Sequence, residues 1–204
     1  SFESIVNCLS LGMDGTELDV QMTRDSVLVA FHDEDLADNT RLSGKVHSHH
    51  WSALEDARYS ETPFLNYSVI SMDELFSNIE DLQNYQFTFH CKLYTDDDDP
   101  IPYYESYIRA VRRLVQKFGM EQKVYMESES LDFLRLFKHQ DPDSRLFIYP
   151  TSFESGLDIA LNMALYGITI STRHISREQV QIAHDHHLRV ALWEVESESD
   201  NFEA

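Results

Sequence analysis

Short apolar runs alternate with longer amphipathic stretches along this chain, and the alternation predicts an α/β fold. Strand-like patterns are either strictly alternating or continuously apolar, and they cover residues 16–22, 27–31, 87–93, 124–126, 146–149, 168–170 and 188–193. Helix-like patterns carry an apolar stripe and capping or stop residues, and they cover residues 2–11, 71–82, 103–118, 130–139, 157–165 and 175–186. Strands separated by helices are typical of parallel βαβ units.

The order of these elements leaves two architectures open. A parallel sheet covered by helices is either a doubly wound sheet or a (β/α)8 barrel, and periodicity alone does not distinguish them. Residues 33–66 form a long insertion without a clean helix. No linker or fixed-period repeat divides the chain, so we expect one domain over residues 1–204.

Composition narrows the function classes. The 204 residues carry 16 basic and 36 acidic side chains, a formal net charge of −20. Such a chain gains nothing from counterion release on nucleic acid, and an anionic membrane surface repels it, so we expect neither partner. An anionic ligand would need a local positive group or a bound cation. No apolar run is long enough to predict a membrane span.

The disulfide content is limited, whereas the localisation and the oligomeric state stay open. Two cysteines are too few for a disulfide framework. The chain begins at Ser1 without a methionine, so a preceding segment is expected and no localisation is predicted: a cytoplasmic and a secreted or periplasmic location both remain open. The oligomeric state is equally open.

Acidic side chains on the first predicted strand are the first candidates for chemistry. Glu17 and Asp19 alternate with apolar residues and therefore share one strand face. Two inward carboxylates favour a hard divalent cation such as Mg²⁺ or Ca²⁺, whereas an edge strand with a solvated polar face explains the same pattern equally well. His32 follows the apolar run 27–31, at the strand end where α/β proteins build sites, and it is a candidate acid or base. His47, His49 and His50 lie in the polar insertion and are expected to face solvent.

The motifs that surround these residues resemble a known family. Residues 11–25, LGMDGTELDVQMTRD, and 29–33, VAFHD, resemble the signature and the His-Asp motif of the glycerophosphodiester phosphodiesterases. Residues 71–75 and 183–195 resemble a later helix start and the late strand of that family, which ends near Trp193.

The resemblance implies a fold and a reaction. It implies a TIM-type (β/α)8 barrel that hydrolyses glycerophosphodiesters to glycerol 3-phosphate and an alcohol. It makes Glu17 and Asp19 metal carboxylates, His32 a catalytic acid/base, and Lys92 and Trp193 substrate-binding residues. The expected partner is a small-molecule phosphodiester. A cation would neutralise the charge of the phosphodiester while the substrate's own hydroxyl attacks phosphorus.

Three departures from the family pattern qualify this interpretation. His90 stands where a Glu-x-Lys motif places its carboxylate, so Zn²⁺ or Mn²⁺ joins Mg²⁺ and Ca²⁺ as an expected cofactor. Asp38 replaces an arginine. The first strand, with a second catalytic histidine, and the last βα unit would lie before Ser1 and after Ala204, so we expect a chain shortened at both ends. These departures motivate an alternative, a non-catalytic barrel that binds a phosphorylated or glycerol-containing ligand.

Overall fold

The computed structural model describes residues 1–60 and 65–195. Residue contacts divide the chain into two compact units, Ser1–Val124 and Tyr125–Ala204. Each unit is built from strands and helices close to those predicted from the hydrophobic pattern.

The first unit contains a four-stranded arrangement in the order β3-β2-β1-β4. Its strands are β1 (Gly15–Met22), β2 (Leu28–Ala30), β3 (Ile70–Ser71) and β4 (Gln86–Cys91). Its helices are α1 (Phe2–Ser10), α2 (Trp51–Leu54), α3 (Met72–Asn78) and α4 (Ile101–Phe118), with 3₁₀ turns at Leu36–Asp38, Val46–Ser48 and Leu82–Asn84. The predicted helix 71–82 is thus shorter, because the chain leaves the helix at Ile79, whose backbone is extended.

The pairing of β1 with β4 is parallel and fixes the positions of the polar side chains. The register places Gly15 opposite Gln86 and Asp19 opposite His90. A Cβ atom on Gly15 would lie 1.8 Å from the carbonyl oxygen of Gln86. Only glycine therefore permits the two strands to approach this closely at their start.

The second strand differs from the prediction of parallel units. β2 pairs antiparallel with both β1 and β3. A tight turn reverses the chain: the Thr23 amide donates to the Val27 carbonyl at 2.9 Å, and Ser26 adopts φ +64°. The reversal returns the chain alongside β1, where the Phe31 amide donates to the Asp19 carbonyl at 3.0 Å.

The insertion after β2 has a small core of its own. Leu36, Val46 and Leu54 are fully buried and pack with Val29 and Phe31 of the β2 segment. Of the predicted insertion 33–66, residues 61–64 lie outside the described residues. Apolar contacts therefore attach the insertion to the β2 segment.

The turn that begins the insertion is organised by Asp35. Its Oδ1 accepts hydrogen bonds from the amides of Ala37, at 2.9 Å, and Gly44, at 2.8 Å. These two bonds lower the pKa of the carboxyl group below its ordinary value. Gly44 has φ +87°, a conformation that glycine adopts without strain.

The second unit contains four parallel strands in the order β5-β6-β7-β8. The strands are β5 (Val124–Ser128), β6 (Leu146–Ile148), β7 (Gly167–Ser171) and β8 (Arg189–Trp193). The intervening helices are α5 (Leu131–Gln140), α6 (Phe153–Asn162) and α7 (Arg177–Asp185), with a 3₁₀ turn at Thr172–His174. Strand and helix alternate here as predicted, and β6 and β7 are buried throughout.

Among the helices of residues 1–60 and 65–195, none combines the length and the apolar composition that crossing a membrane requires. The prediction of one domain over the whole chain stays a prediction.

The Asp35 turn gives a testable pH dependence. We expect Asp35→Ala to lower the midpoint of urea unfolding at pH 7, because two backbone donors lose their acceptor. A depressed folded pKa contributes stability that is fully present above the unfolded pKa and is lost as pH falls through the folded pKa. The gap between wild type and variant should therefore narrow as pH drops below about 4.

Asp38→Ala is the matched control, because Asp38 is an exposed carboxylate of the same 3₁₀ turn. A gap for Asp35→Ala that widens at low pH, or an equal effect of Asp38→Ala, would contradict the assignment.

Candidate catalytic and metal site

One face of β1 carries a row of polar side chains. Glu17 is exposed, Asp19 is partly buried and Gln21 is buried, whereas Leu18 and Val20 on the opposite face lie in the core. The strict alternation predicted from the sequence is thus confirmed. The three polar side chains on this face are progressively more buried from Glu17 to Gln21.

Asp19 lies between two basic side chains, those of His90 in β4 and of Lys92, the first residue after β4. Its Oδ1 is 3.4 Å from Nδ1 of His90 and 3.4 Å from Nζ of Lys92. Burial by itself raises the pKa of Asp19, but the hydrogen bond from His90 and the charges of Lys92 and His32 outweigh it, so the pKa lies below its ordinary value. Asp19 is therefore a carboxylate at neutral pH, and His32 is close enough to act on it electrostatically.

Glu17 and His90 have the spacing of two ligands of one cation. A carboxylate oxygen of Glu17 and a ring nitrogen of His90 lie within 4.8 Å of each other. Ligand bonds to divalent metals are about 2.0–2.6 Å long, so two ligands of one ion lie at most about 4–5 Å apart. A carboxylate oxygen and an imidazole nitrogen at this spacing fit a divalent cation. The hydrogen bond to Asp19 places the proton of His90 on Nδ1, which makes Nε2 the nitrogen with the lone pair.

His32 is exposed and is oriented by its neighbour. Its Nδ1 lies 2.8 Å from Oδ1 of Asp33, and its side chain is 67% exposed. The other carboxylate oxygen of Asp33 accepts a hydrogen bond from Nδ2 of Asn39. Asp33 thus favours a proton on Nδ1 of His32 and leaves Nε2 as the nitrogen that exchanges protons.

Gln21 fixes the backbone on both sides of His32. Its Nε2 donates to the carbonyl of Phe31 at 3.0 Å and to the carbonyl of Asp33 at 2.7 Å. Gln21 is 2% exposed, so these hydrogen bonds are shielded from water. Sequence reasoning did not identify Gln21, Asp33 or Asn39 as site residues. The position of Gln21 on the strand face of Glu17 and Asp19 was the available signal.

The structure places five of the predicted site residues in the first unit: Glu17, Asp19, His32, His90 and Lys92. Trp193 belongs to the second unit, where the residue is 40% exposed and its ring centroid lies 5.7 Å from that of Tyr149. Its role with substrate stays a prediction.

The expectation that the insertion histidines face solvent is wrong for His47. Its ring lies 4.3 Å from the ring of Tyr103, and its Nε2 lies 3.7 Å from Asp97. Beside it, Nζ of Lys45 lies 2.5 Å from Asp96 and 3.1 Å from Glu34. The ion pair of Lys45 with Asp96 thus attaches the insertion to the acidic loop after β4.

The family model of the glycerophosphoryl diester phosphodiesterases matches residues 1–203. The chain belongs to this family. Among its relatives, the uncharacterized protein YqiK of Bacillus subtilis is 29% identical over 133 residues, which are 63% of this chain and 51% of that protein. A glycerophosphodiester phosphodiesterase of Caldanaerobacter subterraneus is 26% identical over 200 residues, 94% of this chain and 78% of that protein.

The chain therefore spans only about half the length of some relatives that it matches.

Solved structures share its fold. A glycerophosphodiester phosphodiesterase from Agrobacterium tumefaciens has a TM-score of 0.79 at 19% identity, over 100% of this chain and 84% of that one. A phosphodiesterase from Oleispira antarctica, in complex with the product sn-glycerol-3-phosphate, has a TM-score of 0.81 at 14% identity, over 98% and 81%. Family and fold together confirm the predicted α/β class with a TIM-type barrel.

The two hydrogen bonds of Gln21 are tested by Gln21→Met, which keeps the length of the side chain and removes the amide group that donates both bonds. We expect the free energy of unfolding to fall by about 1–3 kcal/mol, because two backbone carbonyls lose their partner in a buried setting. Gln181→Met is the control, since Gln181 is exposed on α7 and its amide donates to Asp185 one turn away. Equal urea-unfolding curves for wild type and Gln21→Met would show that these two hydrogen bonds do not stabilise the fold.

Proposed function

We propose that this member of the glycerophosphodiester phosphodiesterase family hydrolyses glycerophosphodiesters to glycerol 3-phosphate and an alcohol. The observation that carries the proposal is the pairing of the His32–Asp33 dyad with the cluster of Asp19, His90 and Lys92. The dyad supplies a group that moves protons, and the cluster supplies the ammonium group of Lys92 for a phosphodiester. The activity named for the relatives from Bacillus altitudinis and Caldanaerobacter subterraneus agrees with this chemistry.

His32 is the acid/base of the proposed reaction. Asp33 accepts a hydrogen bond from Nδ1–H of His32, so Nε2 takes the proton from the substrate hydroxyl that attacks phosphorus and returns a proton to the leaving alcohol oxygen. The attack forms a cyclic phosphate, which water then opens to glycerol 3-phosphate. Asp33 also stabilises the imidazolium that forms. Asn39 holds the second oxygen of Asp33 and thereby fixes the plane of its carboxylate.

Lys92 is the side chain that we assign to the phosphate. Its Nζ already lies 3.4 Å from Asp19, and its side chain is only 11% exposed. An ammonium group in such a partly desolvated position attracts a phosphodiester oxygen more strongly than one in open water. Lys92 thus supplies a local positive charge in a chain of net charge −20.

Glu17 and His90 would hold the divalent cation, and Asp19, predicted as a further carboxylate ligand, contacts Nδ1 of His90 and would orient its imidazole. When bound, this ion neutralises phosphate charge and stabilises the charge that develops on the oxygens in the transition state. The imidazole of His90 favours Mn²⁺ or Zn²⁺ over Mg²⁺ and Ca²⁺, which prefer oxygen ligands.

The reaction is tested with glycerophosphocholine and each of these four metals. We expect release of glycerol 3-phosphate and choline, and we expect His32→Ala to lower kcat by about 10²–10⁴-fold, the usual contribution of a positioned acid/base. His184→Ala is the control, because His184 is exposed on α7. A wild-type protein that binds glycerol 3-phosphate but is inert with every metal would favour the non-catalytic alternative.

The role of His90 is tested by metal binding without turnover. By calorimetry we expect wild type to bind Mn²⁺ and Zn²⁺ more tightly than Mg²⁺ and Ca²⁺, and we expect His90→Glu to gain affinity for Ca²⁺ and lose affinity for Zn²⁺. Glu17→Gln should weaken every metal. His184→Glu adds the same charge on an exposed helix face and should change none of these values. A Zn²⁺ affinity unaffected by both His90→Glu and Glu17→Gln would exclude this site.

A further inference from the structure

The insertion contains a pocket that the proposed reaction does not use. Its volume is about 510 Å³. Charged, aromatic and aliphatic side chains line it, including Arg41, Leu42, Asp56, Arg58, Tyr59 and Leu65. The pocket therefore combines apolar walls with ionic groups, as small-molecule sites commonly do.

The two guanidinium groups set the charge of this pocket. Within residues 1–60 and 65–195, neither Arg41 nor Arg58 forms an ion pair or a side-chain hydrogen bond, and Asp56 forms none with them. Among the described lining residues, Arg41 and Arg58 against Asp56 give a charge of +1 in a chain of net charge −20. Two guanidinium groups in such a setting favour an oxyanion, which they bind through planar, paired N–H donors.

Tyr59 adds a neutral donor to the wall. Burial, together with the charge of Asp33, raises the pKa of Tyr59 to about 12, so its hydroxyl keeps its proton at neutral pH. Leu42 is partly buried and Leu65 is 45% exposed, and they offer apolar contact beside the arginines. An occupant with an anionic group and C–H surface matches this lining.

The pocket adjoins the segment that carries His32. The ring of Tyr59 stacks on the ring of Phe31 with centroids 6.3 Å apart, and Phe31 directly precedes His32. The Ser60 amide donates to the carbonyl of Asn39 at 2.8 Å, and Asn39 in turn bonds Asp33. The charge of Asp33, the partner of His32, also acts on the Tyr59 hydroxyl. The Tyr59 wall of the pocket therefore lies near the His32–Asp33 dyad.

We propose that the pocket of Arg41 and Arg58 binds a second phosphate carried by the alcohol part of a glycerophosphodiester. This inference rests on the proposed function and narrows it to substrates with two anionic phosphates. Net hydrolysis breaks the bond between phosphorus and the alcohol oxygen at the phosphate nearer His32, consumes one water and releases glycerol 3-phosphate together with the alcohol, which keeps the second phosphate. The second phosphate is not cleaved in that turnover and serves only for binding.

The kinetic test compares two substrates that differ by one glycerophosphate arm, glycerophosphoglycerol and bis(glycerophospho)glycerol. We expect wild type to prefer the second in kcat/KM by about tenfold, since a hydrogen bond to a charged group contributes an effect of that order. In the double variant Arg41→Gln/Arg58→Gln this preference should fall to the statistical advantage, about twofold, of a substrate with two equivalent phosphodiesters in place of one. Activity on glycerophosphocholine should change little.

The matched control is Arg109→Gln/Arg113→Gln, which removes the same charge from exposed positions on α4. It should keep the preference. A preference that persists in the pocket variant, or that falls equally in the control, would overturn the proposal and leave the proposed function intact.

Binding is measured separately, so that failure of the reaction and failure of the pocket are distinguishable. Metal-free protein is titrated by calorimetry with each compound, which requires no turnover. We expect tighter binding of bis(glycerophospho)glycerol by wild type and by the α4 control, with a loss of about tenfold in the pocket variant. Equal affinity of wild type and pocket variant would exclude the site. Absence of hydrolysis of every substrate would instead reject the proposed function.

Discussion

The contact of the Asp19 carboxylate with His90 and Lys92 is the interaction on which the candidate site depends. A partly buried carboxylate is costly unless cationic or donor groups compensate it. Here both partners come from the β4 segment, so the electrostatic requirement of Asp19 and the parallel register of β1 with β4 support each other. A slip of the register by one residue would turn His90 away from Asp19 and place Cys91 beside it.

The distribution of charge follows the same logic on a larger scale. The chain is strongly acidic, yet Lys92 and the two arginines of the insertion pocket lie in the unit that carries His32. Acidic side chains elsewhere repel an approaching phosphodiester, and screening at physiological ionic strength limits that repulsion to about 8 Å. Recognition of an anion by this protein is therefore a matter of short-range contacts rather than of long-range attraction.

The sequence predicted much of this arrangement and missed the parts that depend on chain reversal. Alternation along residues 16–22 placed Glu17 and Asp19 on one face, and the structure confirms it. His32 was placed at the end of a parallel strand, whereas β2 is antiparallel. His32 lies near Asp19 because the chain turns back, a contact for which strand periodicity carries no signal.

The supporting residues were missed for a related reason. Gln21 and Asn39 act through backbone carbonyls and a neighbouring carboxylate, so their role depends on loop conformation rather than on residue type. The pocket of Arg41 and Arg58 likewise forms only when the insertion folds against β2. The aliphatic residues of the insertion core, Leu36, Val46 and Leu54, show no regular spacing in the sequence that would predict a core.

The hairpin of β1 and β2 has a consequence for the order in which the site forms. Glu17, Asp19 and His32 are neighbours along the chain, so closing the loop between them costs little conformational entropy. His90 and Lys92 join them only after a far longer stretch of chain, including the whole insertion, has been brought back to β1. Contacts of low sequence separation form earlier as a rule. We therefore expect the acid/base half of the site to be in place before its cation-binding half is complete, so that β4 is the element that finishes the site during folding.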